Sequence, residues 1–373
     1  KHYSQNSGII MAKKAKAVKK DSIYADIEKQ YGDVISSGID VLKDKRDYKI
    51  ISISPAIDLA LGGGIREGCW LTLTGDPKSG KTTTAMQIAA NCQKEGRPII
   101  YLDVEGRLNS MNFEVGDLDP KKMQVIGPID KPLPAEHFLD IAYKLLTHPN
   151  NHGAVLIIDS ISSLIAEKEL IGDFSPTRAG LPKILSIFTK KVGQILPNQR
   201  GLIIGITHFI ANTAGKGKAK LSDGGIKIQY QADTRLEIGY GGEGKPGVTA
   251  WENSEGEKIG QIINWNILHS SMGLHHDNVR SYIRFGKGID KAQEAIVLSC
   301  DLGLIQKGGS WYTCSFMQDL PEEAKKIDPE LDVEDKEKLS TAFKFQGQDK
   351  LYSFLTGNDL IKYLESSIKE MLK

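Results

Sequence analysis

Eight residues, Gly75 to Thr82 (GDPKSGKT), constrain this chain more than any other stretch. They fit GxxxxGK[ST], follow the β-prone run CWLTLTG and open a helix that extends to about Lys94. A strand before the turn and a helix after it are the setting this motif requires. In the turn Gly75, Asp76, Pro77, Lys78, Ser79 and Gly80, the glycines let backbone N–H groups converge on phosphate oxygens. The helix N-terminus adds its dipole to the same point. Lys81 is then placed to reach the outer phosphates, the Thr82 hydroxyl to sit on Mg²⁺, and Thr83 to complete the first helical turn. The motif by itself promises a nucleotide and nothing narrower.

The rest of the chain alternates strand and helix. RPIIYLDVE, GAVLIIDS and RGLIIGITH read as further strands, and Ala135 to His148 and LPKILSIFTKKVGQIL as helices. GAVLIIDS is almost unbroken apolar, as a strand buried on both faces must be. The expected fold class is α/β, a mainly parallel central sheet flanked by helices. ADTRLEIGYG, IGQIINWNILHS and VRSYIRFG follow without intervening helices and suggest an antiparallel edge. Four segments are expected: a basic tail over 1–20, a helix and linker over 21–49, the core over 50–290, and a small C-terminal α+β domain over 291–373. In the second segment Asp21 caps SIYADIEKQYG and Gly32 ends it. Ile23, Ile27 and Tyr31 give that helix one apolar stripe, too short to hold itself together without a surface to dock on. VLKDKRDYK reads as the charged linker.

Candidate chemistry lies at the strand ends. Asp159 closes VLIIDS, where a second contact to Mg²⁺ belongs; the competing reading is a turn or cap aspartate. Glu105 and Asp103 close IIYLDVEG, on a strand expected beside the cradle. Hydrolysis needs one carboxylate to orient and deprotonate water, and an extended strand points both the same way, which leaves the pair unresolved. His208 closes LIIGITH and is a candidate sensor of the outermost phosphate, or a histidine making a local structural bond. Two loops follow these ends. IGDFSPTRAG carries Arg178. IANTAGKGKAKLSDGG carries Lys216, Lys218 and Lys220 at alternate positions and ends in Gly224 and Gly225. Such lysines suit non-specific contact with a phosphate backbone, or simply form a solvated loop. Phe209 at the root is its nearest aromatic, so base stacking is not the evident mode.

Composition narrows the partners. A net charge of +1 over 373 residues leaves affinity for a polyanion to local clusters. No apolar run approaches the roughly 20 residues of a membrane span, and no signal-peptide pattern is visible, so no membrane partner is expected. Cys69, Cys92, Cys300 and Cys314 form no close pair or metal spacing and read as free thiols of a cytoplasmic protein. KHYSQNSGII before Met11 reads as an expression remnant. The lysines of AKKAKAVKK read as a solvated tail that could also touch nucleic acid.

Taken in order, IEKQYG, SPAIDLALGGGI, GDPKSGKT, YLDVEG, VLIIDS, LIIGITH, the loop ending in GG, TRLEI, FGKGI and GSWY resemble the RecA-type DNA recombinases from about Ile23 to Tyr312. The resemblance implies a P-loop core that hydrolyses ATP with Mg²⁺, binds single-stranded and double-stranded DNA, and assembles as a helical homo-oligomeric filament. Under it, Glu105 activates water and Asp103 supports it, and the loops at Ile171 to Gly180 and Ile210 to Gly225 face DNA. The N-terminal helix then docks on a neighbouring subunit, an oligomerisation role that accounts for its stripe.

Three departures from the bacterial pattern stand out, and phage-type members resemble this chain at the first. Thr207 and His208 replace an asparagine–glutamine pair. His269 and Ser271 fall where two lysines reach into the neighbour's ATP site. Asn112 and Phe113 fall near the adenine-stacking tyrosine, and Phe113 is the candidate substitute. The loss of two cross-subunit cations implies slow hydrolysis or a cation from elsewhere. Two alternatives follow: a hexameric helicase motor on the same core, and a weakly hydrolysing, ATP-gated DNA scaffold.

Overall fold

The computed structural model describes residues 22–128, 130–172, 180–212, 220–223, 225–238, 247–273 and 276–371. The chain divides into two units, 1–48 and 49–373. In the first, α1 (Ser22–Tyr31) leaves the two ends of its apolar stripe, Ile23 and Tyr31, 62% and 65% exposed, with Ile27 half-buried between them. The expected linker is instead largely helical, as α2 (Gly38–Arg46). The Ser37 hydroxyl accepts the Asp40 N–H at 3.1 Å, a local N-cap that a reading of charge alone overlooks.

The second unit begins with a short ladder of β1 (Ile50–Ile51) and β2 (Ile65–Arg66) around α3 (Pro55–Leu61). The alternating core follows: β3 (Cys69–Gly75), α4 (Lys81–Lys94), β4 (Ile99–Asp103), α5 (Ser110–Phe113), β5 (Met123–Ile126), α6 (Ala135–Thr147) and β6 (Val155–Asp159). It continues with α7 (Glu167–Ile171), α8 (Leu181–Gln199), β7 (Leu202–Ala211), β8 (Lys220–Ser222), α9 (Gly225–Gln231) and β9 (Thr234–Ile238). The hairpin strands β10 (Val248–Glu252), β11 (Lys258–His269), β12 (Asn278–Arg284) and β13 (Gly288–Ile289) complete the sheet.

Among the described residues the sheet has eleven strands, in the order β13-β12-β11-β9-β3-β7-β6-β4-β5, with β10 on β11 and β8 on β7. From β9 to β5 the pairing is parallel. The expected α/β class therefore holds, with three corrections. Thr234–Ile238 joins the antiparallel edge on one side only: it pairs antiparallel with β11 but runs parallel to β3, because α9 supplies the crossover that the sequence concealed. The β4 strand is not beside the cradle, since β7 and β6 lie between it and β3. MQVI, too short and half exposed to stand out, is an additional edge strand.

Strand periodicity explains the layers. Leu71, Leu73, Tyr101, Val155, Ile157, Ile204 and Ile206 face one cluster with Ala85, Met86 and Ile88 of α4. The alternate residues Trp70, Ile100, Leu102, Leu156, Ile158 and Ile203 face a second cluster with Phe138 of α6 and Leu185 and Phe188 of α8. Both faces are buried, which is why these strands read as continuous apolar runs.

Beyond the sheet, α10 (Lys291–Asp301) leads into a third apolar cluster. The strand β14 (Gln306–Gly308) is exposed, and the cluster's other members lie in and around β15 (Trp311–Thr313), α11 (Pro321–Ile327), α12 (Lys336–Ala342), β16 (Lys344–Gln346), α13 (Gln348–Gly357) and α14 (Ile361–Met371). The three strands form a small antiparallel sheet. Among the described residues no helix is long and apolar enough to cross a membrane.

Candidate nucleotide site

The turn between β3 and α4 holds its shape through Gly80, which caps α4 in the left-handed region at φ 95°. A Cβ there would stand 2.5 Å from Ile263 Cδ1 and 2.7 Å from Ile283 Cδ1, so both conformation and space demand glycine. Lys81 Nζ folds back onto the cradle, donating to the carbonyls of Gly75 at 2.9 Å and Asp76 at 2.7 Å. Burial pushes the Lys81 ammonium down to about 8, against the pull of Asp159 and Glu105. The Ser79 Oγ is buried with no hydrogen-bond partner among the described residues. A buried polar atom of this kind in a phosphate cradle fits a ligand oxygen.

Around this turn lies a cavity of about 510 Å³, within the range of small-molecule sites. Pro77 to Thr83, Asp103, Glu105, Asp159 and His208 line it. Thr82 Oγ1 donates to Asp159 Oδ2 at 2.7 Å, and the Tyr101 hydroxyl donates to the same oxygen at 2.7 Å. Burial raises the Asp159 carboxyl above its ordinary range, and the two hydrogen bonds oppose that. No cluster of three or more His, Cys, Asp or Glu side chains could hold a metal among the described residues. The Thr82–Asp159 pair nevertheless fits Mg²⁺, which takes one or two protein oxygens and completes its shell with phosphate and water.

The structure separates the two carboxylates that an extended strand would have kept parallel, because β4 ends at Asp103. Asp103 turns to its own loop and accepts the N–H groups of Arg107 at 3.0 Å and Leu108 at 3.2 Å. Glu105 lies beyond the strand end. Its Oε1 takes the hydroxyls of Ser160 at 2.7 Å and Ser163 at 3.0 Å, and lies 3.1 Å from His208 Nε2. Burial raises the Glu105 carboxyl, but these three donors outweigh it and bring the group below its ordinary value. With a carboxylate facing Nε2, that nitrogen carries the proton and the buried Nδ1 has no partner. Ser160 and Ser163 went unremarked in the sequence, where nothing marks them as partners of a residue 55 and 58 positions away.

The remaining sequence candidates fall as follows. Phe113 packs on the first apolar cluster and does not line the cavity; Asn109, Met111 and Asn112 of its turn do. Residues 284–288 form another part of the wall. His269 is exposed at the end of β11, and the Ser271 hydroxyl accepts the Arg66 N–H at 3.1 Å. Arg178, Lys216, Lys218 and Gly224 lie outside the described residues. Lys220 is the first residue of β8, and Gly225 opens α9. The described strands that flank this segment pair as a β7–β8 ladder, Phe209 with Ser222, Ile210 with Leu221 and Ala211 with Lys220.

A family model described as the RecA N-terminal domain matches residues 17–290. Among curated relatives, Protein RecA of Ruminococcus albus is 28% identical over 305 residues, 79% of this chain and 71% of its own. Protein RecA of Phytoplasma mali is 28% identical over 299 residues, covering 77% and 82%. Protein RecA of Acholeplasma laidlawii is 29% identical over 300 residues, covering 77% and 83%.

Proposed function

The chain belongs to the RecA family, and on that premise we propose that it is a DNA-dependent ATPase of recombination and repair that assembles on single-stranded DNA and promotes strand exchange. One relationship carries the reading: the Glu105 partner His208 and the β7–β8 ladder that flanks the lysine-bearing segment share a strand. Asp223 N–H donates to the His208 carbonyl at 2.8 Å. The hydroxyls of Thr74 and Thr207 lie 2.7 Å apart, with the Ser222 hydroxyl 3.2 Å from Thr207, tying the cradle strand to that ladder. A phosphate felt at His208 therefore has a short, hydrogen-bonded route to the DNA-facing segment.

In this mechanism Lys81 leaves its carbonyl partners for the outer phosphates, and Thr82 and Asp159 hold Mg²⁺, which neutralises phosphate charge when bound. Glu105 accepts the proton of the attacking water, and His208 donates from Nε2. Nucleotide binding favours the assembled, DNA-binding state, and hydrolysis reverses the preference. The apolar stripe of α1 serves assembly between subunits, and His269 and Ser271 face the neighbour's site.

A second reading, an ATP-gated scaffold that barely hydrolyses, draws on Ser271, whose hydroxyl is already taken by the Arg66 N–H. Turnover measured with and without single-stranded DNA, paired with micrographs of the same samples, separates the readings. The recombinase gives DNA-stimulated turnover with filaments, the scaffold gives filaments without turnover, and closed rings point to a helicase motor.

A further inference from the structure

We propose that Arg107 supplies, from within the same chain, a cation to the outermost phosphate, exchanging its present partner Glu105 for it. This rests on the ATPase reading above and names a residue that reading does not use.

The argument begins with how the Glu105 carboxylate is divided. Ser160, Ser163 and His208 all meet Oε1. Among the described residues Oε2 meets a single group, the Arg107 guanidinium at 3.2 Å. The oxygen that the fixed donors leave available for a water proton is thus the one a movable cation covers. Glu105 is largely buried at 14% exposure, whereas the Arg107 side chain is 82% exposed and holds its place through that contact. A solvated guanidinium held by one contact at its tip is free to leave for a better anion.

The other cations lining the cavity are placed differently. Lys81 rises from the cradle itself, where its Nζ now donates to the Gly75 and Asp76 carbonyls, and already has its role at the phosphates. Arg284 Nε donates to Asp290 Oδ2 at 2.6 Å, and its guanidinium lies over the Trp251 and Tyr352 rings. Lys78 is on the turn itself, and Lys287 follows β12, where its carbonyl accepts the Gly116 N–H. Arg107 is the one of these that touches the Glu105–His208 pair. Guanidinium matches a terminal phosphate in two-point geometry, and a cation placed there stabilises charge that develops in phosphoryl transfer. Movement of Arg107 to phosphate does two things: it adds positive charge at the reacting end and uncovers Oε2 of Glu105. The rest of its loop is held by Asp103, which accepts the Arg107 and Leu108 N–H groups, so the side chain moves on a fixed backbone.

The test combines equilibrium nucleotide binding with turnover in the full-length protein. In a Glu105→Gln background, calorimetry with Mg²⁺ compares ATP and ADP for Arg107 and for Arg107→Ala. The proposal expects ATP affinity to fall about tenfold with ADP affinity unchanged, and Arg107→Lys to recover part of the loss. With Glu105 intact, Arg107→Ala is expected to lower kcat by about a hundredfold. Equal effects on ATP and ADP, or no effect on either, overturn the proposal. If the unaltered protein binds ATP but shows no DNA-stimulated turnover, the ATPase reading fails, and the ATP-over-ADP comparison still judges Arg107.

Discussion

His208 Nε2 lies 3.1 Å from Glu105 Oε1, although 103 residues separate them in the chain. Parallel strands ending on the same side of one sheet bring them together, with Ser160 and Ser163 at the end of the strand between. The carboxylate is ionised and oriented at neutral pH through Oε1, and its other oxygen is the one that the Arg107 guanidinium covers.

Replacing Glu105 by Gln keeps the shape and the three contacts but removes the proton acceptor. Turnover should fall about 10²- to 10⁴-fold while ATP binding persists, and ATP-bound assemblies on DNA should accumulate. Steady-state hydrolysis alongside filter binding checks this. Near-normal turnover would remove Glu105 from the role of base.

A buried acidic pair makes stability depend on pH. Burial raises Asp58 to about 6 and Glu294 to about 7. Glu294 accepts the Ser281 hydroxyl and the Ala56 N–H, and Asp58 accepts the Ile53 N–H. Folding favours the protonated forms, so their contribution is fully present below the ordinary carboxylate range and is lost as pH rises through about 6 to 7. Glu294→Gln keeps one donor and one acceptor in place without a charge. Thermal unfolding from pH 5 to pH 8 should show the variant gaining on the unaltered protein as pH rises, by up to about 3 kcal/mol. Parallel pH profiles would contradict the assignment.

How much of this was legible in the sequence follows from what is local. GDPKSGKT, the four core strands and the helices between them carry their signal in consecutive residues and appear where expected. The Ser37 cap that makes α2 helical rests on one hydroxyl among charges. The parallel run of Thr234–Ile238 depends on the seven-residue α9, which a Gly-rich loop disguises. The division of labour between Asp103 and Glu105 was not legible, because it depends on where β4 stops and on serines from the next strand end. For Phe113 residue type suggests a stacking surface, and the structure shows it half-buried against the first apolar cluster.

The alternate lysines between β7 and β8 are proposed to meet DNA backbone. Changing Lys216, Lys218 and Lys220 to Ala together should weaken binding to single strands of any sequence. The plot of log affinity against log salt should flatten by about two to three units of slope. Fluorescence anisotropy across a salt series reads this directly, and an unchanged slope would return the segment to an ordinary solvent loop.

Gating of DNA assembly by nucleotide is the central claim, and Lys81 is its narrowest test, since its ammonium is held at the cradle by two carbonyls. The measurement is electron microscopy of filaments on single-stranded DNA, with and without ATP, for the unaltered protein and Lys81→Ala. The account predicts filaments that require ATP and that the variant fails to form. Filaments of equal length and number in the variant would contradict it.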